Sequence, residues 1–237
     1  MLECHRPDRR EFVQQVGLAT GAVGLGGLTA FAADGKPAAS RKPDDILAQL
    51  LAGNKRFVSG KTNLIPRSPE DFARDAEGQA PPAIILGCAD SRVPPELVFD
   101  QPIGGLFVLR VAGNIVGSGP ILAGSVEFAV AELGARLIIV LGHSKCGACQ
   151  AAITHIENND KLPGSIEGLV DYIRPVVRKV GKAGGDKLVN VTKENAIENA
   201  KRLATLGPIL PEFVKKGELK IVGGYYELKT GQVDILG

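Results

Sequence analysis

The sequence contains no tryptophan, aromatic side chains make up only 5% of its 237 residues, and positive and negative charges almost cancel. Without clustered aromatic rings there is neither a base-stacking surface for nucleic acid nor an aromatic belt for a membrane interface. With 28 basic and 26 acidic residues, the net charge of +2 provides no electrostatic attraction to nucleic acid or to an anionic membrane surface. The composition therefore favours a small-molecule substrate over a polymer.

The first forty residues differ from the rest of the chain and have the features of a twin-arginine export signal. Arg9 and Arg10 precede a weakly apolar run rich in glycine and alanine, and the tripeptide Ala-Phe-Ala at 30–32 is a small-x-small cleavage site. The run is short and glycine-rich for a membrane span, so a membrane anchor or a frayed amphipathic N terminus is the weaker interpretation. We expect a cleaved signal peptide over 1–32, a linker over 33–42, and a periplasmic or otherwise exported mature protein without a membrane segment.

The chain has four cysteines: Cys4, Cys88, Cys146 and Cys149. Cys4 leaves with the expected signal peptide, so three thiols remain. An odd number of thiols in an oxidising compartment argues against a simple framework of disulfides. At least one of the three is therefore expected to have another role.

Residues 43–237 alternate between strand-like and helix-like patterns. Continuous apolar runs at 83–87, 106–110 and 137–142 are typical of strands that are covered on both faces. Helical periodicity occurs before, between and after these runs, and the chain ends in two strand-like segments around a turn at 229–231. The alternation predicts a single α/β domain with a mostly parallel central sheet flanked by helices. We also expect an N-terminal helical arm and a C-terminal edge strand or hairpin.

Three residues with metal-binding side chains follow two of the predicted strands. His143 and Cys146 lie three apart in GHSKCG at the end of one strand, and Cys88 follows another. The carboxyl ends of parallel strands are where α/β folds place ligands, so these side chains can meet at one point. Two thiolates and one imidazole suit zinc, and three protein ligands leave the fourth position that a catalytic site needs. Singly, each residue is more often structural; together they predict a zinc site.

Asp90 and Arg92 follow Cys88 at every second position in the stretch LGCADSRVPP. In an extended chain, side chains at i, i+2 and i+4 point the same way, so the carboxylate and the guanidinium are expected to share the space of the thiol. A bidentate pair would fix the carboxylate and lower its pKa. An ordinary surface ion pair is the alternative. It is disfavoured because Asp90 and Arg92 are expected to point to the same side of the chain as Cys88.

These two motifs, Cys-x-Asp-x-Arg and His-x-x-Cys, resemble those of the β-class carbonic anhydrases. The agreement runs from about residue 43 to VGGYYELKTGQV near the C terminus. The resemblance implies reversible hydration of carbon dioxide to bicarbonate and a proton by zinc-bound hydroxide, with one Zn²⁺ per subunit. It also implies a homodimer or homotetramer, in which the N-terminal arm would pack on the partner.

The resemblance also implies roles for individual residues. Cys88, His143 and Cys146 correspond to the three zinc ligands. Asp90 and Arg92 correspond to a pair in which the carboxylate either occupies the fourth zinc position, in a closed state, or is held away by the arginine. Zinc lowers the pKa of bound water from about 15.7 to about 7, which generates hydroxide at neutral pH.

Three further positions correspond to residues that contact the substrate. Gln79 matches a glutamine that often acts across a dimer interface, Phe107 matches a wall of the narrow apolar pocket, and Gly147 matches a glycine whose backbone N–H faces the substrate. Amide donors of this kind would stabilise the developing oxygens of bicarbonate. Phe128 departs from the family, since many relatives have a tyrosine there.

Cys149 lies outside the usual ligand set and forms a C-x-x-C pattern with Cys146. Such a pattern entering a helix is also the redox motif of thioredoxin-like proteins, so a periplasmic dithiol oxidoreductase is the alternative function. That alternative leaves Cys88, Asp90 and His143 without a role. We interpret Cys149 as a semi-buried helix residue, with a disulfide to Cys146 as the lesser hypothesis. Within the family, action on carbonyl sulfide or carbon disulfide stays open.

Overall fold

The computed structural model describes residues 41–63, 68–73, 76–117, 119–158 and 160–237. The expected signal peptide over 1–32 and most of the expected linker over 33–42 lie outside the described residues. Among the helices within these ranges, none has an apolar stretch long enough to cross a membrane.

Helices and strands alternate through the described residues, as the sequence predicted. In chain order they are α1 (Pro43–Val58), α2 (Pro69–Ala73), β1 (Ala83–Gly87), α3 (Pro95–Val98), β2 (Leu106–Arg110), α4 (Pro120–Ala131), β3 (Leu137–His143), α5 (Gly147–Asn158), α6 (Ile166–Val180), α7 (Lys187–Ala204), α8 (Ile209–Lys215), β4 (Lys220–Tyr226) and β5 (Val233–Leu236). A 3₁₀ turn, Ala112–Asn114, follows β2. The three apolar runs are confirmed as strands, and β3 continues one residue further than predicted.

The five strands form one sheet in the order β2-β1-β3-β4-β5. The first four are parallel, and β5 pairs antiparallel with β4 as a hairpin. The register sets Gly87 of β1 opposite Arg110 of β2 and Leu141 of β3, so these three strands end at one edge. The predicted α/β domain with a mostly parallel sheet is confirmed.

Alternate residues of the central strands face two separate hydrophobic cores. Ile85 and Ile139 point to the core that contains α1. Ile84 and Ile138 point to the core on the other face, which contains α4. A third core, built around α5, α6 and α7, includes all three of the described cysteines. The cysteines are thus surrounded by apolar side chains where the sheet ends.

Helix α1 begins with Pro43 and has acidic residues in its first turn and basic residues in its last, which suits the helix dipole. Its residues Ile46 and Leu50 are almost fully buried against the sheet of the same chain. Near its end, the side chain of Asn54 bonds the carbonyls of Val98 and Gly231. Ile46 and Leu50 are therefore covered within the chain, and packing of this helix on a partner stays a prediction.

Candidate metal centre

Cys88, His143 and Cys146 converge at the carboxyl edge of the sheet. Cys88 directly follows β1, His143 is the last residue of β3, and Cys146 directly precedes α5. Because β1 and β3 are parallel neighbours, their ends bring the side chains together. The two sulfur atoms and a ring nitrogen of His143 all lie within 4.8 Å of one another, and all three residues are buried. Within the described ranges, this is the one cluster of three or more potential metal ligands.

The imidazole of His143 is oriented by a backbone group. Its Nδ1 lies 2.9 Å from the carbonyl oxygen of Ser144, which can only accept, so Nδ1 carries the proton in the neutral ring. Its Nε2 is buried and has no hydrogen-bond partner among the described residues. A buried nitrogen lone pair beside two sulfur atoms is the arrangement that a metal ion satisfies. The donor set of two sulfurs and one nitrogen fits zinc.

The two thiols resist ionisation in the metal-free cluster. A hydrogen bond with Cys146, together with burial, raises the pKa of Cys88 to about 12. A hydrogen bond with Cys149, together with burial, raises the pKa of Cys146 to about 12 as well. Sulfur binds zinc as thiolate, so a zinc ion held by Cys88 and Cys146 would displace both thiol protons and would stabilise the two negative charges.

The backbone N–H of Gly113 donates to the sulfur of Cys88 at 3.3 Å. Gly113 lies in the 3₁₀ turn, and its carbonyl accepts a hydrogen bond of 2.8 Å from the buried Asn195 of α7. Asn199, one turn further along α7, bonds both Asn195 and the N–H of Val116. Two buried amides thus fix the loop that supports the thiol. Sequence reasoning missed them, because the contacts span more than 80 positions of the chain.

Asp90 and Arg92 form the predicted bidentate pair. The guanidinium Nε and Nη2 of Arg92 lie 2.9 and 2.7 Å from the two carboxylate oxygens. This pairing holds the pKa of Asp90 well below its usual range. Oδ2 of Asp90 also lies 3.9 Å from Nε2 of His143, so the carboxylate borders the cluster while the arginine holds it.

A second arginine fixes the backbone of the same segment. Nε of Arg110 donates to the carbonyl of Cys88 at 2.9 Å, and its Nη2 donates to the carbonyl of Asp90. Arg92 reaches across to the carbonyl of Lys145 at 3.3 Å, in the loop after β3. The two loops that carry the ligands are thereby joined to each other. The sequence did contain a signal for Arg110, since this charged residue ends the apolar run of β2 at the edge where Cys88 lies.

Of the three residues implied to contact substrate, Gly147 alone lies beside the cluster in this chain. It is the exposed first residue of α5, and a side chain added there would meet no atom of the described chain within 4 Å. Gln79 precedes β1 and so lies at the opposite edge of the sheet from Cys88. Phe107 is the second residue of β2 and packs against the core that contains α4. Phe128 is half exposed on α4.

Cys149 is fully buried in the first turn of α5, deeper than the semi-buried position we expected. Together with Cys88 and Cys146 it is a free thiol. Dithiol oxidoreductases need an accessible, reactive thiolate, whereas both members of this C-x-x-C pattern are fully buried. The geometry therefore gives no support to the oxidoreductase alternative.

The carbonic anhydrase family model matches residues 83–233, which include the whole cluster. Carbonic anhydrase 2 of Mycobacterium tuberculosis is 38% identical over 184 residues, covering 77% of this chain and 87% of that protein.

Solved structures share the fold. A β-carbonic anhydrase of Coccomyxa, solved with acetazolamide, aligns with a TM-score of 0.62 and 26% identity, covering 81% of this chain and 82% of that one. One of two tetrameric β-carbonic anhydrases from Sordaria macrospora aligns with a TM-score of 0.65 and 24% identity, covering 81% of this chain and 98% of that one. At such low identity, this last likeness concerns the fold alone.

Proposed function

The chain belongs to the β-class carbonic anhydrases, and on that premise we propose that Cys88, His143 and Cys146 hold a zinc ion at which carbon dioxide is reversibly hydrated to bicarbonate and a proton. The observation that carries this proposal is the buried cluster itself, with the unsatisfied Nε2 of His143 directed at two thiols. When bound, zinc lowers the pKa of a coordinated water to about 7 and so supplies a nucleophile at neutral pH.

The Asp90–Arg92 pair prepares the cluster for this chemistry. Both oxygens of Asp90 bind the guanidinium, so the carboxylate stays ionised and keeps a fixed orientation. Its Oδ2 lies 3.9 Å from Nε2 of His143 and would accept a hydrogen bond from a water molecule at the cluster, and so would orient that water. Release of Asp90 from Arg92 would let the carboxylate take the fourth position itself, as the closed state requires.

The substrate side of the cluster is open beside Gly147. Carbon dioxide is apolar and offers weak acceptors, so one or two amide donors and a small apolar space suffice to bind it. The N–H of Gly147 is such a donor, and no side chain there obstructs the approach.

We propose that Gln79 and Phe107 act at the site of a second copy of the chain. Gln79 lines a surface groove of about 500 Å³ together with the exposed Phe72 and Ile103, and β2, which carries Phe107, is an edge strand. Exposed apolar side chains around a groove, next to a strand edge, favour contact with another subunit. A homodimer, or a homotetramer built from it, would then complete each site.

We also propose export of the folded protein through the twin-arginine signal in residues 1–32. The paired arginines and the small-x-small site support this location. Replacing Arg9 and Arg10 by lysine should retain the full-length protein in the cytoplasm. A periplasmic mature form in that variant would refute the assignment.

Stopped-flow hydration of carbon dioxide by the purified protein tests the catalytic proposal. We expect fast hydration by the wild type and loss of both zinc and activity in Cys88→Ser. Asp90→Asn should retain zinc and lose most of the hydration rate. Carbonyl sulfide and carbon disulfide, offered to the same preparations, provide the alternative substrates. Zinc-loaded wild type that hydrolyses these and leaves carbon dioxide unchanged would contradict the proposed substrate.

Mixing two inactive variants tests the role of the second copy. In a dimer of Cys88→Ser with Gln79→Ala, one site combines the intact metal ligands of one chain with the intact Gln79 of the other. Random exchange of subunits should then restore about a quarter of the wild-type activity. If Gln79 acts within its own chain, the mixture stays inactive.

A further inference from the structure

The segment 144–146 between β3 and α5, which we call the metal-binding loop, is fastened to the β4–β5 hairpin through the buried hydroxyl of Ser144. Oγ of Ser144 donates to Oε1 of Glu227 at 2.7 Å and accepts from the N–H of Leu228 at 2.9 Å. The backbone N–H of Ser144 donates to the carbonyl of Tyr226 at 2.9 Å. Ser144 is only 5% exposed, so its own side of these bonds is shielded from solvent. Both the backbone and the side chain of Ser144 are thus fixed by hydrogen bonds to the hairpin.

The same residue provides the carbonyl that binds Nδ1 of His143. This carbonyl sets which ring nitrogen carries the proton and therefore which one is free to bind a metal. The next residue, Lys145, has φ of 57°, a left-handed conformation that persists in a residue other than glycine only where the surroundings enforce it. The orientation of the carbonyl therefore depends on contacts that hold the turn in place.

Glu227 supplies the anchor on the hairpin side. Its Oε1 accepts from Ser144 and, at 3.2 Å, from the N–H of Lys229, while its own N–H and carbonyl bond Gln232 and Gly231 within the turn. The carboxylate is thus built into the turn and linked to the metal-binding loop by a single hydrogen bond. The Glu227 carboxylate is connected to the His143 imidazole only through Ser144, whose hydroxyl bonds the carboxylate and whose carbonyl bonds the ring. The carboxylate is not one of the three groups of the cluster.

We propose that Glu227 and Ser144 are positioning residues for the zinc ligand His143, with Glu227 acting through the Ser144 hydroxyl and the Ser144 carbonyl orienting the ring. The inference rests on the proposed zinc site. It assigns to the C-terminal hairpin the task of keeping Nε2 of His143 aimed between the two sulfur atoms. Loss of the Glu227–Ser144 hydrogen bond should weaken zinc binding while the protein stays folded.

Zinc release from the full-length protein to a chromogenic chelator measures this role directly. Glu227→Ala and Ser144→Ala should release zinc several-fold faster than wild type. We expect less than the roughly 10- to 100-fold loss of affinity that follows removal of a direct outer partner, because the Ser144 carbonyl stays in the chain. Glu227→Gln keeps an oxygen acceptor for Ser144 and should restore a rate close to wild type. Asp234→Ala is the matched control, since this exposed carboxylate lies on the same hairpin and bonds Gln232 rather than the metal-binding loop.

The visible spectrum of the cobalt-substituted protein provides a readout that a merely structural role would not change. Bands characteristic of tetrahedral cobalt should shift or weaken in Glu227→Ala and Ser144→Ala, and be restored in Glu227→Gln. Equal zinc release from Glu227→Ala and Asp234→Ala would overturn the positioning role. If Glu227→Ala fails to fold, Ser144→Ala decides by the same two readouts. Wild type without stoichiometric zinc would instead refute the proposed site, so the two failures are distinguishable.

Discussion

Replacing Gly113 by alanine inserts a methyl group into the loop that supports the Cys88 thiol. Gly113 has φ of 74°, in the left-handed region that disfavours a side chain. A Cβ there would lie 2.9 Å from Cδ1 of Ile173 and 3.1 Å from Cβ of Ala148. Ile173 is fully buried, and Ala148 lies in the first turn of α5, directly after Cys146 and Gly147. The substitution therefore disturbs the support of one thiol and the helix that follows the other.

The expected magnitude follows from three terms. The left-handed conformation costs about 1–2 kcal/mol with a side chain, and overpacking against Ile173 and Ala148 costs about 1–3 kcal/mol. Alanine also restricts the unfolded chain more than glycine does, and this offsets about 0.4–1 kcal/mol of that cost. The free energy of unfolding should fall by about 1–4.6 kcal/mol, and zinc should be released faster because the N–H of Gly113 moves away from the Cys88 sulfur.

Urea unfolding at fixed zinc concentration, together with zinc release to a chelator, measures both effects. Gly117→Ala is the matched control, since it lies close by in the same loop and its Cβ would meet no atom of the described chain within 4 Å. That variant should stay within about 0.5 kcal/mol of wild type. A Gly113→Ala protein as stable as the control would refute the reasoning.

Three further predictions concern residues around the site and on the surface. Cys149→Ala should keep one zinc per subunit by elemental analysis and lose about 1 kcal/mol of stability in urea, and loss of the metal would contradict the ligand set. Asn195→Ala leaves the buried carbonyl of Gly113 without its donor and should lower the free energy of unfolding by about 1–3 kcal/mol in the same assay. An unchanged urea midpoint would show that the loop around Gly113 does not need this hydrogen bond. The pKa of Glu198 is lowered from 4.5 to about 2, mainly by its hydrogen bond with Lys179, so the stabilisation is complete above pH 4.5 and is lost as the pH falls toward 2. Glu198→Gln should therefore cost about 0.5–1 kcal/mol at neutral pH and nothing near pH 2, and a pH-independent difference would contradict this.

Much of the fold was predictable because the central strands are buried on both faces. Five consecutive buried residues at Ala83–Gly87 give a continuous apolar run that no surface element among the described residues shows. A short helix such as α8 was not predicted, because its pattern is too short to recognise. Ile209–Lys215 makes about two turns, too few for helical periodicity to stand out.

The convergence of Cys88, His143 and Cys146 was predictable because each lies at, or shortly after, the end of a recognisable strand. Their supporting residues were not, since Ser144 meets Glu227 across 83 positions and Asn195 meets Gly113 across 82. Nothing in the local pattern of a sequence encodes such pairs. Gln79 shows another limit: it lies far from the cluster within one chain, and its predicted role requires a second copy.

The measurement that tests the central claim most directly is the X-ray absorption spectrum of the zinc-loaded protein at the zinc edge. Ligation by Cys88, His143 and Cys146 predicts two sulfur atoms at about 2.3 Å and two nitrogen or oxygen atoms at about 2.0–2.1 Å, one from the imidazole and one from the fourth position. A third sulfur, which Cys149 would have to supply, or a shell without sulfur, would contradict it.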